Sequence, residues 1–483
     1  MQIASQILLL ALPVTPGLGA LLAGLLPSRL IRPVRALGWA FSIGVLGEWV
    51  ALRAMLAGGD GLLVSAKGPW VAGMGIGVHL GLDSTGFILA GMIAFLGVVA
   101  LVGTQPSTPE LNRTHVVCLL SAEAGMLGVV ASWDLILFVA FWEVTLLPFF
   151  FLMGRGGARG GVAAATRFVI TSVISSVLMW VGVLWLVQIA GEPWTFDLEE
   201  LAGRLGAAQL PLGCFWLMAL TFLMRMAAFG LHTWLPEVSV DVPTAANVLL
   251  AGGVLPLGGF GFVHILQRLF PPDLLGMSAV FTWIGLATAL CGGLASVVQR
   301  DLKRLLSYAC LAQVGLALAG LSLGGADARQ GGLMMLVAAG LAGAGLFLFV
   351  GVIGQARGSQ RIVDISGLWR SHPAFAGLAF GGVASVAAMP GTLGFVGAYQ
   401  ILHSLVGDLP GLAVALGSIL AAGGALLWAY RRILGGSHQA EVWTRETWPR
   451  RREVGILALL TVALLVAGLL PGLITPSSGG MMP

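Results

Sequence analysis

The chain is dominated by apolar runs long enough to cross a lipid bilayer, and this feature constrains its fold more than any other. Among 483 residues, 58% are hydrophobic, only 10% are charged, and the mean hydropathy is +0.96. A segment in lipid must satisfy its own backbone hydrogen bonds, and an α-helix of about 20 residues does so across a hydrocarbon layer of ~30 Å. We therefore predict an all-α polytopic membrane protein. This composition excludes a soluble enzyme, a secreted disulfide scaffold and a nucleic-acid-binding protein.

Apolar runs of spanning length recur along the whole chain and predict about 14 transmembrane helices. They lie near residues 3–26, 34–57, 83–104, 114–131, 134–154, 166–190, 210–230, 244–267, 276–298, 305–323, 330–354, 373–402, 410–430 and 454–474. The basic residues test this count, because Lys and Arg collect in cytoplasmic loops. Nineteen of the 25 Lys and Arg residues fall in the loops after spans 1, 3, 5, 9, 11 and 13. Both termini are therefore predicted to face the non-cytoplasmic side.

Two of the predicted spans are interrupted by residues that stop a helix. The seventh runs into Gly230 and Pro236, and the twelfth is cut by the pair Pro390-Gly391. Matching Pro and Gly breaks in two halves point to inverted repeats around a polar cavity, although both residues are common in membrane helices. The predicted organisation is helices 1–3 in residues 1–110, a first five-helix repeat (helices 4–8) in 111–270, a second (helices 9–13) in 271–433, and a cytoplasmic loop with helix 14 in 434–483.

Few ionisable groups lie inside the predicted spans, and each is a functional candidate because a charge at mid-membrane costs ~2.5–3.5 kcal/mol on insertion scales. The candidates are Glu123 in span 4, Glu143 in span 5, Arg225 in span 7 and His232 just beyond it. Glu143 needs either a proton or a cation, and Arg225 is the deep cation available, so we expect the two to approach. The alternatives are a neutral Glu143 bonded to a backbone carbonyl, and an Arg225 that either reaches the membrane surface or forms a purely structural pair.

Several motifs together resemble the antiporter-like membrane subunits of respiratory complex I, in the group of NADH-quinone oxidoreductase subunit M and mitochondrial chain 4. The motifs are Ser121-Ala122-Glu123-Ala124-Gly125-Met126, Phe141-Trp142-Glu143, Leu147-Pro148, His232-Thr233-Trp234-Leu235-Pro236, Pro243-Thr244-Ala245, Asp301-Leu302-Lys303-Arg304-Leu305-Leu306-Ser307-Tyr308, Pro390-Gly391-Thr392 and Gly394-Phe395-Val396-Gly397. The resemblance covers nearly the whole chain. It implies 14 helices, discontinuous helices 7 and 12, and a proton path in which Glu143 and Arg225 fill a glutamate–lysine pair and Glu123 a further acidic position.

The sequence departs from this family at four relay positions. Arg225 replaces a lysine, Gly253-Val254-Leu255-Pro256 stands where helix 8 carries a lysine, Ala339 replaces a histidine, and Ala398 replaces a glutamate. The chain has two lysines, Lys67 and Lys303, and both are predicted to lie outside the spans. The second half therefore looks depleted of titratable groups, and we expect its pumping to be reduced or lost.

The resemblance implies a proton-translocating-type subunit of an NADH:quinone oxidoreductase in the inner, cytoplasmic membrane of a bacterium. Its partners would be the other membrane-arm subunits and the lipid bilayer, and it is not expected to work alone or to bind nucleic acid. We expect no cofactor, metal ion or redox centre in this chain. The alternatives are a subunit of a related cation/proton antiporter, membrane-bound hydrogenase or inorganic-carbon uptake system, or a non-translocating structural spacer.

Overall fold

The structure is a computed structural model, and it describes residues 2–56, 62–103, 112–156, 161–205, 211–270, 276–435 and 449–473. The first half contains α1 (Gln2–Leu25), α2 (Ile31–Met55), α3 (Ser84–Gly103), α4 (Arg113–Ala131), α5 (Leu135–Gly156), α6 (Gly161–Ala190), α7 (Leu198–Arg204), α8 (Leu212–Arg225), α9 (Trp234–Asp241) and α10 (Thr244–Gln267). The second half contains α11 (Ser278–Val297), α12 (Leu302–Ser322), α13 (Ala326–Arg357), α14 (Leu368–Ser371), α15 (Pro373–Val386), α16 (Leu393–Ser404), α17 (Leu409–Leu434) and α18 (Arg451–Leu469).

The predicted polytopic helical class is confirmed. Within the described ranges, eleven helices are long and apolar enough to cross a membrane. The helices α10, α12 and α13 are buried along almost their whole length and form the centre of the bundle, whereas α1, α6, α17 and α18 present more of their surface to the outside. The count of 14 stays a prediction, because α2 carries more charge and because α8 and α15 are short.

One element was not predicted, namely an antiparallel β-hairpin between α2 and α3. Its strands are β1 (Leu62–Val71) and β2 (Ile76–Asp83), joined through the turn at Ala72–Met74. The strand signal is present in β2, where Val78, Leu80 and Leu82 alternate with other residues. We call the side of the bundle that carries this hairpin the hairpin end.

The two predicted helix breaks are confirmed, and they share one backbone geometry. After α8, Ala227 has φ 54° and Gly230 has φ 84°; after α15, Ala388 has φ 50° and Gly391 has φ 88°. In each break the N–H that follows the alanine bonds back five residues, from Ala228 to Leu223 O and from Met389 to Ala384 O, at 2.9 Å. Alanine at positive φ is strained. Its recurrence at both breaks shows that the two interruptions have the same local backbone geometry.

Glycine allows α11 and α12 to pack with their backbones in direct contact. A methyl group added at Gly315 would lie 2.4 Å from Ala289 N and 2.7 Å from Gly285 O. Small residues at such places let membrane helices approach closely, because dispersion contacts rather than water drive their association.

Replacing Gly315 with valine should separate α11 from α12 and destabilise the protein, since overpacking costs ~1–3 kcal/mol. Gly424 on α17 is the matched control, because a methyl group added there meets nothing within 4 Å. We expect Gly315→Val, but not Gly424→Val, to lower the midpoint of thermal unfolding of the detergent-solubilised protein. Equal losses in both variants would contradict the close contact.

Candidate functional site

Arg225 is the last residue of α8, and only 4% of its surface is exposed. Its Nη2 donates a hydrogen bond of 2.6 Å to Thr145 Oγ1 on α5. Its guanidinium carbon lies 4.6 Å from the ring centre of Trp142 and 6.0 Å from that of Phe168. A desolvated cation over an aromatic face gains about 2 kcal/mol, and the carbonyl end of a helix also favours positive charge. Arg225 therefore stays inside the bundle, which excludes the alternative that it reaches the membrane surface.

Glu143 lies on α5 between Trp142 and Thr145, the two residues that hold Arg225. Its carboxylate interacts with the guanidinium electrostatically, but the described chain contains no direct ion pair between them. Its Oε1 is buried and has no hydrogen-bond partner among the described residues. Glu143 and Arg225 therefore interact electrostatically, but they do not form a direct contact. Oε1 of Glu143 is therefore available to a further hydrogen-bond donor.

His232 lies in the break between α8 and α9, where the first half meets the second. Its Nε2 is 3.7 Å from Cys291 Sγ on α11, and its ring stacks on Phe229 at 6.2 Å. The Phe229 N–H donates to Thr288 Oγ1, also on α11, over 2.8 Å. The break between α8 and α9 is thus attached to α11, a helix of the second half.

Glu123 on α4 is completely buried and lies in a different surrounding from Glu143. Its Oε1 accepts a hydrogen bond of 3.0 Å from Ser42 Oγ on α2, and its Oε2 has no partner in the part of the chain that the structure describes. A second carboxylate, Glu48 on α2, acts on it electrostatically and accepts a 2.6 Å hydrogen bond from Thr15. Glu123 is therefore hydrogen-bonded to α2, and the described residues show no contact between it and Arg225.

The four positions at which the sequence is expected to depart from the family pattern lie in the packed interior. Ala339 on α13 and Ala398 on α16 are each 2% exposed, and Gly253–Pro256 is buried in α10, where a π-helical turn covers Leu250–Val254. Sequence reasoning missed one polar residue here, Gln313 on α12, which is buried and whose amide atoms have no partner among the described residues. A lone amide within an apolar helix is the signal that could have found it.

The prediction that no lysine lies in a span is wrong for Lys303. The helix α12 starts at Leu302 instead of residue 305, because the side chain of Asp301 accepts a hydrogen bond from the Arg304 N–H over 3.1 Å and caps the helix. Lys303 is thereby placed in the first turn, where it is 5% exposed.

A hydrogen-bonded ion network that sequence reasoning missed lies at the hairpin end. The His79 Nδ1 of β2 donates to Asp197 Oδ2 over 2.7 Å, and Lys67 Nζ of β1 lies 2.9 Å from the same oxygen and 2.7 Å from Glu200 Oε1. Burial raises the pKa of Asp197, but the hydrogen bonds from His79 and Lys67 outweigh it and hold that pKa well below its usual range. His79, Asp197 and Glu199 each place one possible metal-ligand atom within 4.8 Å of the others. Lys67, however, already places a positive charge beside Asp197.

A second cluster at the same end joins the hairpin to α10. Arg268 Nη2 bonds Asp83 Oδ2 over 3.1 Å, and its guanidinium carbon lies 4.2 Å from the Trp133 ring centre. The buried His264 ring meets that indole edge-on at 4.9 Å, and its Nε2 lies 3.1 Å from Ser132 O. These contacts close the hairpin end of the first half with bulky and charged side chains.

The fold and the site together define a class: a multi-pass membrane protein with two broken helices and a buried fixed cation beside a carboxylate. The family described as the transmembrane region of NADH:quinone oxidoreductase and Mrp antiporters matches residues 132–422, and this chain belongs to that family.

Named relatives and solved structures agree with this assignment. NADH-quinone oxidoreductase subunit M of Escherichia coli is 28% identical over 445 residues, covering 87% of each chain, and that of Rhodobacter capsulatus is 29% identical over 464 residues, covering 89% of each. Respiratory complex I from Thermus thermophilus with bound NADH contains a chain of 27% identity with a TM-score of 0.86 and 96% coverage of both chains. A chain of the Mrp complex from Dietzia shares the fold, with a TM-score of 0.83, 22% identity and coverage of 99% and 97%.

Replacing Thr145 with valine should leave a buried N–H of Arg225 without an acceptor, because the two side chains have the same shape but valine lacks the oxygen. We expect a loss of ~1–3 kcal/mol in stability, measured as a lower midpoint of thermal unfolding. Thr145→Ser keeps the acceptor and should stay near wild type. A Thr145→Val protein as stable as the serine variant would contradict the role of this hydrogen bond.

The Asp197 network should make stability depend on pH in the acid range. A carboxyl whose folded pKa lies below its unfolded value stabilises the fold above the unfolded value, about 4, and this contribution is lost as the pH falls through the folded value. Thermal unfolding measured from about pH 7 to about pH 3 should show this loss in the wild type and in Glu199→Gln, an exposed neighbour. Asp197→Asn should be less stable at neutral pH and should lose less on acidification.

Proposed function

We propose that this protein is an antiporter-like, proton-translocating-type subunit of the membrane arm of an NADH:quinone oxidoreductase. The observation that carries the proposal is the buried Arg225 beside Glu143 at a helix break. Its relatives are named as subunits of that enzyme, which supports the same assignment. The chain would lie in the cytoplasmic membrane of a bacterium, with both termini on the non-cytoplasmic side.

The two charged side chains have different chemical abilities. A carboxylate can take up and release a proton, whereas a guanidinium in a protein keeps its charge. Glu143 is therefore the proton carrier, and Arg225 is the fixed charge whose distance sets how readily Glu143 holds its proton. Because Arg225 is the last residue before the break, a movement of the break changes that distance. In this proposal Glu123 is a further acid, which is fully buried, and His232 is a relay group at the break.

The chemistry of NADH oxidation would take place in other subunits. We propose that this chain holds no flavin, iron–sulfur cluster, quinone or metal ion of its own. Its free cysteines support the absence of a cluster, because Cys118, Cys214, Cys291 and Cys310 form no pair or group among the described residues. A ligand or partner can drive a conformational change only through a difference in binding between the two states. The driving force for Arg225 would therefore come from the neighbouring membrane-arm subunits.

The second half favours a second candidate function, a non-translocating spacer. Ala339 and Ala398 cannot carry a proton, and the buried polar group near the centre of α12, Gln313, is neutral. We infer that translocation, where it occurs, depends on the first half, with reduced or no contribution from titratable groups in the second.

Proton uptake by the intact complex in vesicles separates the two functions. Glu143→Gln removes the carrier while keeping the size of the side chain, so we expect fewer protons per NADH oxidised while electron transfer continues. Glu199→Gln, an exposed position on α7, is the control and should keep the wild-type ratio. An unchanged ratio in Glu143→Gln would establish the spacer and overturn the working half-channel.

A further inference from the structure

The half-helix α9 is short, and side chains from elsewhere satisfy the carbonyl groups at its C-terminal end. Helix ends leave such carbonyls without partners inside the helix. Asn247 Nδ2, on the following α10, donates to Ser239 O over 2.8 Å. The Nζ of Lys303 donates to Val240 O over 3.1 Å and to Val242 O over 2.8 Å. An ammonium group also complements the negative end of the helix dipole.

Lys303 reaches α9 from the other half of the molecule. It lies in the first turn of α12, and its side chain is buried. The start of α12 is fixed independently, because the Leu302 N–H donates to Gln360 O over 2.9 Å and the Ile362 N–H donates to Arg300 O over 3.0 Å. Lys303 therefore projects from a hydrogen-bonded helix start onto the end of the short helix α9.

The opposite end of α9 is also held by the second half. There the break that precedes α9 is attached to α11 through Phe229 with Thr288 and through His232 with Cys291. A cation thus lies at the C-terminal end of both α8 and α9. Arg225 is the last residue of α8, and Lys303 bonds the carbonyl groups at the end of α9. A shift of the break relative to Glu143 would act on the Lys303 bonds, which together with the Asn247 bond hold the far end of α9.

We propose that Lys303 is a positioning residue that couples the second half to the charge site of the first half. Its ammonium holds α9 against α12 and so sets where the break places Arg225 relative to Glu143. The second half, which lacks the titratable residues of the family pattern, acts in this way through position rather than through proton transfer. The coupling rests on the proposed function, whereas the attachment of α9 does not.

Hydrogen–deuterium exchange of the intact complex tests the attachment. Lys303→Met removes the ammonium and keeps the length of the side chain, so amides in residues 234–242 should exchange at least about tenfold faster, because it loses both hydrogen bonds from the ammonium to α9, and one such bond has an effect of about this order. Lys303→Arg should restore protection. Arg304→Met is the matched control, since Arg304 is exposed one residue further along the same helix, and it should resemble wild type. Where Lys303→Met fails to assemble, Lys303→Gln, which keeps an amide donor, replaces it.

The outcomes separate the attachment from the proton function. Unchanged exchange in Lys303→Met, or faster exchange spread evenly over the whole chain, overturns the proposal. Local fast exchange together with fewer protons per NADH, both reversed in Lys303→Arg, supports it. Local fast exchange with a wild-type proton ratio, in a complex where Glu143→Gln lowers that ratio, overturns the coupling. An unchanged ratio in Glu143→Gln refutes the proposed function instead and leaves the exchange result to decide the attachment.

Discussion

The structure depends on keeping one permanent positive charge inside an apolar bundle. Arg225 cannot shed its proton, so the surrounding protein must replace the water that it lost. Thr145, the Trp142 ring and the carbonyl end of α8 supply part of this replacement without a direct carboxylate contact. Glu143 is consequently near the charge but not bound to it.

The first helix break determines where the charge of Arg225 lies, because Arg225 is the last residue before it. Both breaks use an alanine and a glycine at positive φ, and both end a helix in mid-bundle. In the first half the end of the helix carries Arg225, and the following half-helix is held by Lys303 from α12. In the second half the equivalent region is surrounded by small and neutral residues such as Ala398. The two breaks therefore share a backbone geometry while differing in the side chains around them.

Much of this architecture could be read from the sequence. The spanning helices follow from runs of apolar residues, and the breaks follow from Pro and Gly inside those runs, because both effects are local and strong. The hairpin was missed because its alternation is short and lies beside much longer apolar runs. The contacts of Lys303 and of Asp197 could not be predicted, because they join residues far apart in the chain. Lys303 and Val242 are 61 positions apart, and His79 and Asp197 are 118 positions apart.

The sequence by itself determined that the chain lies in a membrane, that two helices are discontinuous, and that Glu143 and Arg225 lie inside. These conclusions rest on the cost of exposing backbone and charge to lipid, which depends on residue type alone. Only the tertiary structure decided that Arg225 bonds Thr145 rather than Glu143, that Glu123 pairs with α2, and that Lys303 crosses between the halves. Partner choice depends on helix rotation and on side-chain direction at each crossing, and these are set by the packing of the whole bundle.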